Sequence, residues 1–184
     1  MAEKTTSSRE KKKSFFDVNA PITSSKISLY ALSPSELNGR IVTLDMTRNL
    51  RGKNLEMKLR IQAEGDKLNA EPISIEIMGS YIRRMMRKGS DYVEDSFVTS
   101  CKDGQVVAKP FLITRNKVSR SVRNQLRVTA KEYLSGHFTT RTAKELFSEI
   151  ISNKIQKELS LKLKKIYPLA LCEIRIFSLI EQKK

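Results

Sequence analysis

The sequence predicts an α+β fold, with a curled or barrel-like, mostly antiparallel sheet of six to seven strands packed with three to four helices. Three observations carry that expectation. Short runs rich in branched residues, punctuated by Gly, Pro, Asn and Ser, fill the chain between residues 14 and 114. From residue 119 the apolar spacing changes to steps of three and four, the period of a helix. The 184 residues are 39% apolar and 30% charged, enough apolar material for one core and too much for a disordered chain.

Residues 1–13 are mostly Lys, Ser, Thr and Glu, end in Lys11-Lys12-Lys13, and are expected to form a disordered basic arm. A single α+β domain is expected over 14–181, with 182–184 as a tail. It opens at Phe15-Phe16-Asp17-Val18-Asn19-Ala20-Pro21, where aromatics and a proline first appear. Strands are predicted over Ile27–Leu32, Arg40–Met46, Leu55–Gln62 and Ile73–Met78, with Ser33-Pro34, Asn38-Gly39, Arg51-Gly52 and Glu64-Gly65-Asp66 as turns. Leu55-Glu56-Met57-Lys58-Leu59-Arg60-Ile61 alternates strictly, so one face meets a core and the other meets solvent or a charged partner.

A short helix is predicted over Ser80–Lys88, with Ile82, Met85 and Met86 on one side and Arg83, Arg84, Arg87 and Lys88 on the rest. Val93–Cys101 and Gln105–Thr114 flank Lys102-Asp103-Gly104, a strong hairpin signal. The helix beginning at Ser119 aligns Val122, Leu126, Ala130 and Tyr133 or Leu134 at steps of three and four and is expected to end near Ser135-Gly136. Thr142-Ala143-Lys144-Glu145 is a capping box that opens a further helical segment, which Ser152-Asn153 can divide. Pro168 is expected to stop it. Leu171–Ile180 then alternates as a last strand, with Cys172, Ile174, Ile176 and Ser178 on one face.

The charge balance narrows the function. Lys and Arg number 35 against 20 Asp and Glu, a formal net charge of +15. Cys101 and Cys172 lie far apart and His137 is the one histidine, so neither a disulfide scaffold nor a zinc site with ligand spacing is indicated. No apolar run approaches the roughly 20 residues of a membrane span, and the polar N-terminus lacks a secretion signal's apolar core, so a reducing cytoplasmic location is expected. The phosphate-binding and nucleophile motifs of common enzymes are missing, His137 falls in a predicted loop without a partner, and neither an enzyme nor a cofactor is expected.

Between Gln105 and Lys131 the chain carries Lys109, Arg115, Lys117, Arg120, Arg123, Arg127 and Lys131 with no Asp or Glu. Arg120, Arg123, Arg127 and Lys131 step by three, four and four, which places them in one helical stripe opposite the apolar one. A solvated helix face normally mixes signs, and this one does not. Unanswered cations repel unless a polyanion lies against them, and arginine's planar fork suits phosphate oxygens. A membrane surface is the rival polyanion, but the stripe lacks the bulky aromatic ridge of an interfacial helix. Aromatics are only 7% of residues with no tryptophan, so gripping phosphate and shape is favoured over stacking a run of bases; Phe15 and Phe16, beside the lysine arm, are the exception.

Several marks in order resemble the S-three-a-e family of archaeal and eukaryotic small-subunit ribosomal proteins, also called eS-one, in its archaeal form. They are Lys13 to Pro21, Gly39-Arg40, Ser80-Tyr81-Ile82-Arg83-Arg84, Lys102-Asp103-Gly104, Thr114 to Arg127, and Lys164-Lys165-Ile166-Tyr167-Pro168-Leu169 running into Cys172-Glu173-Ile174-Arg175. Phe15 stands where the family usually has tryptophan, and the Gly65–Gly79 segment is shorter than the family's and lacks its glycine-threonine pattern. The resemblance implies a structural constituent of the small ribosomal subunit, without catalysis, on the platform near the messenger exit side. Its implied partners are small-subunit ribosomal RNA and neighbouring platform proteins including the S-eleven type, with messenger RNA within reach. It implies Arg83, Arg84, Lys117, Arg120, Arg123 and Arg127 as RNA-facing residues; charge alone adds Lys11, Lys12, Lys13, Arg87, Arg115 and Lys131. The alternative is a free RNA-binding or translation-regulating module that uses the same stripe outside the ribosome.

Overall fold

The computed structural model describes residues 12–180, except 24, 49, 51 and 66, with the backbone alone at 25, 26 and 64. In chain order the elements are β1 (Ser14–Ala20), β2 (Ser25–Ala31), a 3-10 turn (Pro34–Leu37), β3 (Ile41–Asp45), β4 (Leu55–Glu64), β5 (Lys67–Ile77), α1 (Gly79–Met85) and β6 (Tyr92–Glu94). They continue with β7 (Phe97–Cys101), β8 (Gly104–Thr114), α2 (Arg120–Thr139), α3 (Ala143–Ile151), α4 (Lys154–Leu163) and β9 (Leu169–Ile180). The chain divides into two compact units, one of residues up to Val42 with Arg60–Glu71, the other of Thr43–Leu59 with the rest from Pro72.

In the first unit β1 and β2 pair antiparallel from Ser14↔Ala31 to Ala20↔Ser25, and β1 meets β5 in parallel at Asn19↔Asn69. Period-two alternation buries Val18 and Ala20, while Ala31, Leu37, Ile61, Leu68 and Ala70 complete the apolar set. Gly39, at φ 77°, makes the turn before β3 and donates its N–H to the Ile61 carbonyl at 2.8 Å.

In the second unit β9 pairs antiparallel with both β5 and β8, and β8 also takes β6 and β7. Phe138 of α2, Phe147 of α3 and Phe177 of β9 are fully buried and meet edge to face, with centroids 5.5 Å and 5.0 Å apart along the trio. The Lys102-Asp103 turn of the β7–β8 hairpin also carries α3, because the Asp103 carboxylate accepts the Ala143 N–H at 2.9 Å. The capping box at Thr142 and Glu145 is present in both directions. Asn153, in the left-handed region at φ 58°, separates α3 from α4 where Ser152-Asn153 was expected to divide them.

Nine strands follow the path β2-β1-β5-β9-β8-β6, with β3 on β4, β4 on β5 and β7 on β8. The path does not close, so the α+β class stands with an open sheet in place of a barrel and nine strands in place of six or seven. The additional strands are β1, which opens the folded body, and the division of the Val93–Cys101 run at Asp95-Ser96. Among the described residues there are four α-helices, the upper number expected. Helix α2 passes through Gly136 to Thr139, because Phe138 continues its buried every-fourth-residue row of Leu126, Ala130 and Leu134. Strand β9 does not keep one parity. Arg175 is an extra residue opposite the Lys109/Pro110 step, so Ile174 and Phe177, not Ile174 and Ile176, are its fully buried residues.

Candidate nucleic-acid interface

The basic face of α2 is built by the same period that buries its other side. Ser119 caps the helix, its hydroxyl accepting the Val122 N–H at 3.5 Å, and Leu126, Ala130, Leu134 and Phe138 face the core. Arg120, Arg123, Arg127 and Lys131 are exposed, as the spacing predicted. Among the described residues none of the four has an acidic group within 4.0 Å. The first turn of α2 contains no acid, so Arg120 and Arg123 sit at the positive end of the helix dipole. Both arrangements raise the potential there and disfavour the empty site.

Strand β6 is fixed beside this face by a buried hydroxyl. The Thr114 hydroxyl donates to the Asn116 carbonyl at 2.7 Å and accepts the Asp91 N–H at 3.0 Å, the Thr114 N–H donates to the Asp91 carbonyl at 2.9 Å, and the Asp91 carboxylate accepts the Val118 N–H at 2.9 Å. These bonds tie the start of β6 to the segment entering α2. They leave a groove of about 680 Å³ lined by Tyr92 and Glu94 on one side and Arg120, Arg123, Asn124 and Arg127 on the other. The acids of the strand wall are already engaged. Asp91 holds the Val118 amide, and Glu94 pairs with Arg175 at 2.5 Å. Glu94 is thus charge-compensated while Asp91 keeps its negative charge, and the three arginines leave the groove net positive.

The other predicted cations lie elsewhere. Arg87 and Arg115 line a separate recess of about 470 Å³ with Met85, Lys88 and Asn116. Arg83 is exposed and lines a third with Glu56 and Glu76. Arg84 donates to the Asn54 amide oxygen at 3.0 Å and lies 5.8 Å from the Tyr81 ring. Lys117 and Lys131 are exposed and border none of these recesses. In the first unit Lys12 and Lys13 are exposed, and the Lys13 ammonium lies 6.0 Å from the Tyr30 ring, which packs on Phe15 at 5.0 Å. Lys11 lies outside the described residues.

His137, expected in a loop, is in the last turn of α2, carried there by the extension through Gly136. Its Nε2 lies 3.8 Å from Glu149 and 4.0 Å from Glu158, and Glu149 is also paired with Arg141 and Lys154. Burial, helped by the charge of Arg141, holds the imidazole below its ordinary pKa, against the opposing pull of Glu158. Burial, reinforced by the charge of Glu173, pushes the Cys172 thiol up to about 12, which keeps it protonated and unreactive. Among the described residues no group of three or more His, Cys, Asp or Glu can hold a metal, and no helix is long and apolar enough to cross a membrane. Sequence reasoning missed Asp91, Tyr92 and Asn124. The one available signal was that Tyr92 and Glu94, two apart in a strand, share a face.

The model of the Ribosomal S3Ae family matches residues 2–183. The chain belongs to the ribosomal S3Ae family. A protein named small ribosomal subunit protein eS1 from Nanoarchaeum equitans is 29% identical over 182 residues, covering 95% of this chain and 92% of that protein. Proteins of the same name from Desulfurococcus amylolyticus and Methanothermobacter thermautotrophicus are each 27% identical, over 172 and 132 residues. They cover 89% and 71% of this chain and 81% and 68% of their own lengths. These archaeal S3Ae relatives agree with the resemblance read from the ordered marks between Lys13 and Arg175.

Proposed function

We propose that this S3Ae chain is a structural constituent of the small ribosomal subunit and binds that subunit's RNA through the basic face of α2, on the platform near the messenger exit side. The observation that carries the RNA reading is the row of Arg120, Arg123, Arg127 and Lys131, exposed and, among the described residues, with no acidic group within 4.0 Å, beside a groove whose arginines outnumber its acids. Each such cation placed on a phosphate releases condensed counterions, which converts a repulsive row into binding energy. Lys117 and Arg115 are exposed on the segment entering α2 and add cations next to this face in sequence. Neighbouring platform proteins, the S-eleven type among them, are the protein partners of this reading. Its location is the cytoplasm, within the subunit, and its role is positioning and not catalysis.

Sucrose-gradient sedimentation of native lysate at low and then moderately high salt, with detection of this protein across the fractions, tests the proposal. Co-migration with the small subunit through the salt step is expected. Release to the top fractions with short RNAs would transfer the same stripe to a free RNA-binding module.

A further inference from the structure

We propose that the groove between β6 and α2 receives one unpaired, extrahelical nucleotide of the bound RNA, its base stacked on Tyr92 and its flanking phosphates against Arg120, Arg123 and Arg127. This rests on the RNA-binding reading above and adds to it the kind of RNA feature the site takes. Tyr92 carries the inference. Tyr92 is 57% exposed, an unfavourable place for a large ring, and its ring contact is with Phe111. Phe111, 2% exposed, lies behind it with centroids 6.0 Å apart and planes inclined by 29°. One face of Tyr92 is therefore backed by the core and the other is open, the arrangement of a stacking platform.

The rest of the groove fits a nucleotide. Its volume of about 680 Å³ lies within the roughly 300–1,000 Å³ typical of small-ligand sites. Arg127 donates to the Asn124 amide oxygen at 3.1 Å, which commits that oxygen and leaves the amide nitrogen as a donor for a base acceptor. The Glu94 carboxylate, held by Arg175, can accept from an exocyclic amino group. A fully paired A-form helix offers none of its base faces to a side chain, because they are stacked within the helix. A bulged or looped-out nucleotide places a base on Tyr92 while its phosphates stay within reach of the arginines.

The full chain is titrated with three RNA hairpins by fluorescence anisotropy: one fully paired, one with a single bulged adenosine, and one with an abasic ribose at the bulge. The bulged hairpin is expected to bind about tenfold tighter than the paired one, and the abasic hairpin to lose that gain. Tyr92→Ala removes the preference, Tyr92→Phe retains it, and Arg123→Gln weakens all three hairpins in parallel. Equal binding of paired and bulged hairpins, an abasic hairpin as tight as the adenosine one, or a preference that survives Tyr92→Ala would overturn the proposal while leaving RNA binding intact. Failure of every hairpin to bind at low salt would overturn the RNA reading itself. Displacement of the bulged hairpin by polyglutamate at lower concentration than by the paired hairpin would assign the groove to an acidic protein, against the proposal.

Discussion

Lys53 is buried to 7% exposure, and an ammonium in that position is tolerated only when its charge is answered. It is answered twice, by the Glu173 carboxylate at 2.5 Å and by the Asn153 amide oxygen at 2.9 Å. Lys53→Ala is expected to destabilise the protein by about 3–5 kcal/mol in urea denaturation, because it leaves a poorly hydrated carboxylate behind. A Lys53→Met, Glu173→Met double variant should recover most of that loss. His137 gives the pH counterpart. Its folded pKa lies below the unfolded value of 6.5, so the unfolded chain takes up the proton first. Stability is complete above pH 6.5 and declines as the pH falls through that value toward the folded pKa. Melting curves between pH 7 and 5 should show a decline that His137→Gln flattens.

At the scale of the element, Gly136 lies in α2 with helical backbone, and a Cβ built there meets nothing within 4 Å. Gly136→Ala is therefore expected to raise stability by about 0.5–1 kcal/mol in thermal or urea unfolding, since alanine loses less backbone entropy in a helix. Thr142→Ala removes the reciprocal cap of α3 and should cost about 1 kcal/mol. These elements also show what sequence can reveal. The Thr142 cap and the Ser152-Asn153 division are local chemistry and were legible before the structure. The end of α2 was not, because Ser135-Gly136 reads as a stop and only the burial of Leu134 and Phe138 carries the helix on. The Arg175 bulge was equally hidden, since it is defined by the partner strand β8 and not by the alternation of β9 itself.

For the whole molecule, binding to RNA is expected to weaken steeply with salt, and Arg123→Glu should both lower the affinity and reduce the magnitude of the log K against log salt slope by about one or more. Titration of the wild type and variant between low and moderate salt measures both quantities. The basic stripe was legible because it is periodic in sequence, whereas the groove was not. Tyr92 and Arg120 come together only because β8 pairs with β6 and leads into α2, and single-sequence patterns do not report such long-range pairing. The open edge of the sheet was illegible for the same reason: closure depends on which strands find one another.

The position of β9 between β5 and β8 also bears on the order in which a ribosome makes this chain. Its contact with β5 joins Ser74 to Ser178, more than a hundred positions apart. Until residues 169–180 emerge, β5 and β8 keep unpaired edges, and Phe138 and Phe147 lack the ring that unites them. A nascent chain is thus withheld from its compact state until synthesis has passed β9. Prematurely released fragments would expose sticky edges to chaperones and proteases, so assembly draws selectively on chains whose translation has run through that strand.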